Sequence, residues 1–153
     1  MKLTRWMPDS FRVNLAAPRA HVLVCDDETH IRAVIVAKLT SLGFSVAQGR
    51  NGAEGLSQAL ARTPALVITD YQMPVMSGME MAKELRNADP TKDVPVLMLT
   101  ARGYSLDPRE VAGTGIREVI AKPFGVRQLM ERVDAMIRGD VTAAEDDQHR
   151  SAA

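Results

Sequence analysis

The chain has 153 residues, enough for one ordinary domain with a hydrophobic core. Apolar residues make up 46% and charged residues 25%, the proportions of a globular protein in water. Nineteen basic side chains balance nineteen acidic ones, and the lack of a basic excess argues against a dedicated nucleic-acid binder.

Residues 1–19 read as a loosely ordered extension. Its charges are mainly basic (Lys2, Arg5, Arg12, Arg19), and Pro8 and Pro18 break any long helix. It lacks the apolar h-region and cleavage site of a secretory signal. No run in the chain approaches a membrane span in length. A cytoplasmic location is the expectation, with no membrane partner.

One domain, residues 20–138, follows without an internal repeat. His21–Cys25 is the first predicted strand; Cys25, the single cysteine, lies within it and reads as a small core hydrophobe. Ile31, Val34, Ile35, Leu39 and Leu42 recur at helical spacing, with Gly43 as a stop. Phe44–Ala47 is a short strand, and Ala53, Leu56, Ala59 and Leu60 mark a second helix ended by Thr63-Pro64. The Leu66–Thr69 strand leads to a loop punctuated by Pro74 and Gly78. Ser77 is placed to cap a helix carrying Met79, Ala82 and Leu85. A polar turn region, Asn87–Pro95, precedes the Val96–Leu99 strand. Asp107-Pro108 starts a fourth helix that Gly113-Thr114-Gly115 cuts short. After the Val119–Ala121 strand, Val126, Leu129, Met130, Val133 and Ile137 define a last helix. Gly139 stops it, and residues 139–153 form a polar, partly acidic tail. Five strand–helix units in succession predict an α/β fold with a parallel sheet covered on both faces.

Four of the strands end on polar residues suited to phosphoryl chemistry: Asp26-Asp27, Asp70, Thr100 and Lys122. Ligands bind beyond the carboxyl ends of the strands in open α/β sheets, so parallel neighbours would bring these groups into one crevice. Singly, each has a bland explanation. Asp26 and Asp27 fit a solvated turn, with Asp27 or Thr29 capping the first helix, and Thr100 and Lys122 fit ordinary strand ends. Together, the carboxylates suit a Mg2+ ion. Asp70 is then placed as a nucleophile, with Thr100 and Lys122 as ligands for phosphoryl oxygens. No Gly-rich GxxxxGK[ST] loop supports nucleotide binding. His21, His30 and His149 lack metal-ligand spacing.

The segments Val22-Leu-Val-Cys-Asp-Asp-Glu28, Val67-Ile-Thr-Asp-Tyr-Gln-Met-Pro-Val-Met-Ser-Gly78, Leu99-Thr-Ala101 and Ala121-Lys-Pro-Phe124 closely resemble the receiver domain of two-component response regulators. The resemblance spans about residues 20–138, in order and without a large insertion. It implies a flavodoxin-like (βα)5 fold with strand order 2-1-3-4-5. It also implies a phospho-acceptor at Asp70, phosphoryl contacts from Thr100 and Lys122, and a cis Lys122–Pro123 bond. Mg2+ is implied at Asp27 directly, at Asp26 mainly through water, at Asp70, and at the backbone carbonyl of Gln72. Gln72 and Arg102 match positions that tune dephosphorylation. The implied donors are a histidine kinase or a histidine phosphotransfer protein, and the downstream protein partner is unknown.

Two positions depart from that pattern. Val119 stands where the family usually has Tyr or Phe, and it reads either as a core residue or as a lost aromatic switch. Tyr104 on the neighbouring loop is a weak substitute. The fourth helix is short at a face that family members commonly use for partners. The expected function is a stand-alone, single-domain regulator, not an enzyme, acting by protein contact or as a relay, with no DNA binding by this chain. The alternative is a pseudo-receiver that is not phosphorylated. A phosphatase of the haloacid dehalogenase type is set aside, because Gln72 stands where such enzymes carry an acid.

Overall fold

A computed structural model of the protein describes residues 19–139. The expected arm and tail, apart from Arg19 and Gly139, fall outside the described residues. The chain alternates β1 (Arg19–Cys25), α1 (Thr29–Ser41), β2 (Phe44–Gly49), α2 (Gly52–Ala61), β3 (Leu66–Asp70), α3 (Gly78–Asn87), β4 (Val96–Thr100), α4 (Pro108–Ala112), β5 (Ile116–Ala121) and α5 (Val126–Arg138). The five strands form one sheet in the order β2-β1-β3-β4-β5, and every neighbouring pair is parallel. This is the flavodoxin-like order that the resemblance to receiver domains implies.

Alternation along the strands divides the core in two. Val22, Val24, Leu66, Ile68, Leu97 and Leu99 pack on one face with α1 and α5. Leu23, Cys25, Val67, Val96 and Met98 pack on the other with α2 and α3. Central strands covered on both faces need near-continuous apolar runs, and β3 and β4 are buried at every position. Asp70 and Thr100 are their last residues, so a polar group is carried to the rim of the sheet on a rigid strand.

Helix boundaries follow local chemistry. Ser77 Oγ accepts from Glu80 N (3.1 Å) and Asp107 Oδ1 from Arg109 N (2.9 Å), satisfying exposed N–H groups at the starts of α3 and α4. Gly43 (φ 91°) and Gly139 (φ 76°) take left-handed conformations after α1 and α5. The expected cap of α1 is corrected: its N-cap position is Glu28, and no side chain caps it. The inner face of α2 also differs from its apolar spacing. Gly52, Gly55 and Ala59 are buried, while Leu60 is 48% exposed. A Cβ on Gly55 would lie 2.5 Å from Cys25 Sγ, so only glycine lets α2 approach β1 this closely.

The far edge is thinly covered. α4 has five residues and none is buried. The outer face of β5 is correspondingly open. Val119 is 45% exposed, which rules out the first of its two readings, a residue packed in the core. Arg19, the last residue of the expected arm, belongs to β1, where its guanidinium lies 4.2 Å over the Phe44 ring and 2.6 Å from Asp134.

Candidate functional site

The chain leaves β1 toward β2 on one side and returns to β3 on the other. The crevice opened there lies beyond the carboxyl ends of β1 and β3. Asp26 follows β1 and is fully buried. Its Oδ1 accepts from Glu28 N (2.9 Å) and its Oδ2 from Lys122 Nζ (3.0 Å), while its carbonyl accepts from Arg32 (2.6 Å). Asp27 is exposed beside it. Asp70 ends β3, and its Oδ1 accepts from Tyr71 N at 3.0 Å. Behind it, a Cβ on Gly78 would stand 2.0 Å from the Asp70 carbonyl oxygen, so glycine is required for α3 to begin there.

Lys122 reaches the crevice from β5. Its N–H donates to the Thr100 carbonyl (2.7 Å), tying the ends of β4 and β5 together, and the Lys122–Pro123 bond is cis. Its ammonium lies 3.0 Å from Asp26, 3.2 Å from Glu28 and 3.3 Å from Asp70. Thr100 is 1% exposed, and its Oγ1 is buried without a hydrogen-bond partner. A buried hydroxyl left unpaired is uncommon and calls for a reason.

Asp26, Asp27 and Asp70 each offer an oxygen within 4.8 Å of the others. Carboxylates at about 4 Å repel by roughly 4 kcal/mol per pair at an effective dielectric of 20. Burial, then the charge of Asp26, push the Asp70 carboxyl up to about 6, although Lys122 pulls the other way. Burial tends to lower Lys122, but the hydrogen bond and charge of Asp26, with Asp70 and Glu28, more than offset it and leave the ammonium raised. One ammonium against three clustered carboxylates leaves a net negative crevice of hard oxygens. That donor set suits a divalent cation retaining part of its water.

Asp27, Asp70, Gln72 and Lys122 line one cleft of about 260 Å³. The structure therefore brings together the predicted acids and the ammonium, with Thr100 at the adjoining strand end. Four further residues join them: Glu28, Arg32 and Tyr71, to which the sequence assigns no role, and Tyr104, which it offers only as a weak aromatic substitute. Glu28 is a second carboxylate on Lys122, signalled by its place after the acidic pair. Arg32 braces the Asp26 backbone one helical turn into α1. Tyr71 and Tyr104 pack against each other in a tilted pair with ring centroids 4.9 Å apart and form part of the cleft wall.

The family model for the response regulator receiver domain matches residues 22–134. An uncharacterised transcriptional regulatory protein of Bacillus subtilis, YkoG, is 34% identical over 128 residues, which are 84% of this chain and 55% of that protein. The chain spans about half the length of the curated relatives it matches. The receiver domain of the sensor histidine kinase PA1611 from Pseudomonas aeruginosa superposes with a TM-score of 0.70 and 27% identity, covering 81% of this chain and all of that one, and holds a magnesium ion in its active site cleft. The receiver domain of Ssk1 from Saccharomyces cerevisiae, solved with the histidine phosphotransfer protein Ypd1, gives a TM-score of 0.67 and 25% identity over 75% of this chain and 86% of that one.

Proposed function

The chain belongs to the response regulator receiver domain family, the signalling modules of two-component systems, and from that membership we propose that it accepts a phosphoryl group on Asp70. The observation that carries this reading is the convergence of Asp70, Asp26 and Lys122, with the ammonium 3.0 and 3.3 Å from the two carboxylates. The donor is a histidine kinase or a histidine phosphotransfer protein; the Ypd1–Ssk1 complex supports that class of partner. A carboxylate oxygen of Asp70 attacks phosphorus, and the P–N bond to the donor imidazole breaks. Its electron pair stays on the imidazole nitrogen, which takes up a proton. At neutral pH most of Asp70 is ionised and able to attack, since its carboxyl titrates at about 6. Lys122 and the unpartnered Thr100 hydroxyl receive phosphoryl oxygens. Asp26, Asp27, Asp70 and the Gln72 carbonyl would hold Mg2+, which when bound neutralises charge on the carboxylates and the phosphoryl group.

The proposal is of a signalling module and not an enzyme, with residues 20–138 as the receiver unit. Its output is contact with a downstream protein or onward relay, without DNA binding by these residues. The half-length match to transcriptional regulators leaves the whole protein's activity outside this reading. No helix among the described residues is long and apolar enough to cross a membrane. A cytoplasmic location belongs to the same proposal.

A second reading, an unphosphorylated pseudo-receiver, draws on the exposed Val119 and the five-residue α4. Intact mass after incubation with Mg2+ and acetyl phosphate separates the two. A single phosphoryl adduct on wild type, absent from Asp70→Asn, is expected. An unmodified, folded wild type, unmodified also by candidate kinases, would establish the pseudo-receiver.

A further inference from the structure

Tyr71 and Tyr104 are 33 positions apart, yet Tyr104 Oη donates to Tyr71 Oη at 3.0 Å and the rings lie 38° from parallel. Both line the cleft that holds Asp70. Tyr71 is rooted on the acceptor itself. Its N–H faces Asp70 Oδ1 at 3.0 Å and the Leu99 carbonyl at 2.8 Å, which fixes its backbone relative to β3 and β4. Tyr104 is on the loop between β4 and α4, just after Gly103 at φ 81°. That loop is largely exposed, and α4 beyond it buries no residue. Among the described residues, the tyrosine pair is the side-chain hydrogen bond that joins this loop to the end of β3.

We propose that the Tyr71–Tyr104 bridge holds the β4–α4 loop as a wall of the phosphorylation cleft and restricts the approach of water to the phosphoryl group. The pair are thus positioning residues that lengthen the life of the acyl phosphate. The inference rests on Asp70 as phospho-acceptor. In the step concerned, a water oxygen bonds to phosphorus and the P–O bond to Asp70 breaks. The electron pair returns to the carboxylate, and the proton from water leaves with inorganic phosphate or to solvent. With tilted rings at a centroid separation of 4.9 Å and hydroxyls in direct hydrogen bond at 3.0 Å, the pair admits no water between its members, so solvent reaches the cleft around it. Removing the Tyr104 ring opens that side; removing one hydroxyl only unlatches the loop.

The experiment loads the full chain from acetyl phosphate with Mg2+, removes the donor and follows loss of the adduct by intact mass. Tyr104→Ala is expected to shorten the half-life by about fivefold, with Tyr71→Phe and Tyr104→Phe each shortening it by about twofold. The double Phe variant should be no shorter-lived than either single, because both remove one and the same hydrogen bond. Mg2+ affinity and Tm should stay at wild-type values in the Phe variants, which a loosened acid pocket would not allow. A wild-type half-life in Tyr104→Ala, or Phe effects that multiply, overturns the wall while leaving Asp70 as acceptor. A wild type that takes no adduct from acetyl phosphate or a kinase overturns the acceptor reading and the wall with it.

Discussion

Asp70 is held against its own ionisation. Burial and the neighbouring Asp26 raise its carboxyl from an ordinary value of 3.8 to about 6, because the charged form loses water and gains a like charge. A carboxyl raised on folding is the reverse of the usual stabilising case. The folded state binds its proton more tightly than the unfolded chain does. The resulting penalty is absent below pH 3.8, grows between 3.8 and 6, and is full above 6. A shift of about two units corresponds to at most about 3 kcal/mol. Lys122 keeps Asp26 and Glu28 when the Asp70 charge is removed, so most of its own pairing survives. Asp70→Asn in metal-free buffer is therefore expected to stabilise the fold by about 1–2 kcal/mol at pH 8, raising Tm by a few degrees. Below pH 4 the two proteins should melt together. Thermal melts across that range check the prediction; an Asn variant less stable than wild type at pH 8 would show that the carboxylate is a net structural asset.

Among the elements, α3 depends on a contact that no side chain could share. Gly78 opens the helix against the Asp70 carbonyl, and a methyl there would overlap that oxygen at 2.0 Å. Either α3 or the end of β3 must move, so Gly78→Ala is expected to cost about 3 kcal/mol or more. Gly113, after α4, has φ −92° and open space around its Cβ position. Gly113→Ala should stay within about 0.5 kcal/mol of wild type. Equal costs for the two in denaturant melts would refute the close approach. The same contrast explains what the sequence could reveal. Strands β1, β3 and β4 were legible because their buried stretches at residues 22–25, 66–68 and 96–99 are apolar runs, and Asp26, Asp70 and Thr100 follow them where the site begins. The inner face of α2 was not, since Gly52 and Gly55 carry no apolar signal. A core reading of Val119 stayed open because a strand pattern cannot tell that the neighbouring helix is too short to cover it. The tyrosine pair was invisible for another reason: its members belong to different loops, and only the adjacency of β3 and β4 brings them together.

For the whole molecule, the acidic crevice links metal binding to folding. Asp26, Asp27 and Asp70 come from two strand ends that are 43 positions apart or more, and their oxygens lie within 4.8 Å only once β1 and β3 are paired. The unfolded chain has no such cluster, so a cation that binds it stabilises the native state by mass action. At a concentration one hundred times Kd the gain is about 2.7 kcal/mol. For a domain of about 120 residues, each kcal/mol moves Tm by roughly 3–6 °C. Mg2+ should therefore raise Tm by several degrees at pH 8. The rise should shrink as pH falls through about 6, where Asp70 takes a proton and one ligand is withdrawn. Asp27 is the exposed member of the cluster and is tied to no other described side chain by a hydrogen bond or ion pair, so Asp27→Ala should remove most of the Mg2+ response without lowering metal-free Tm. Na+ at matched ionic strength separates site binding from general screening. An equal rise in wild type and Asp27→Ala, or one that Na+ reproduces, would locate the Mg2+ effect away from these carboxylates.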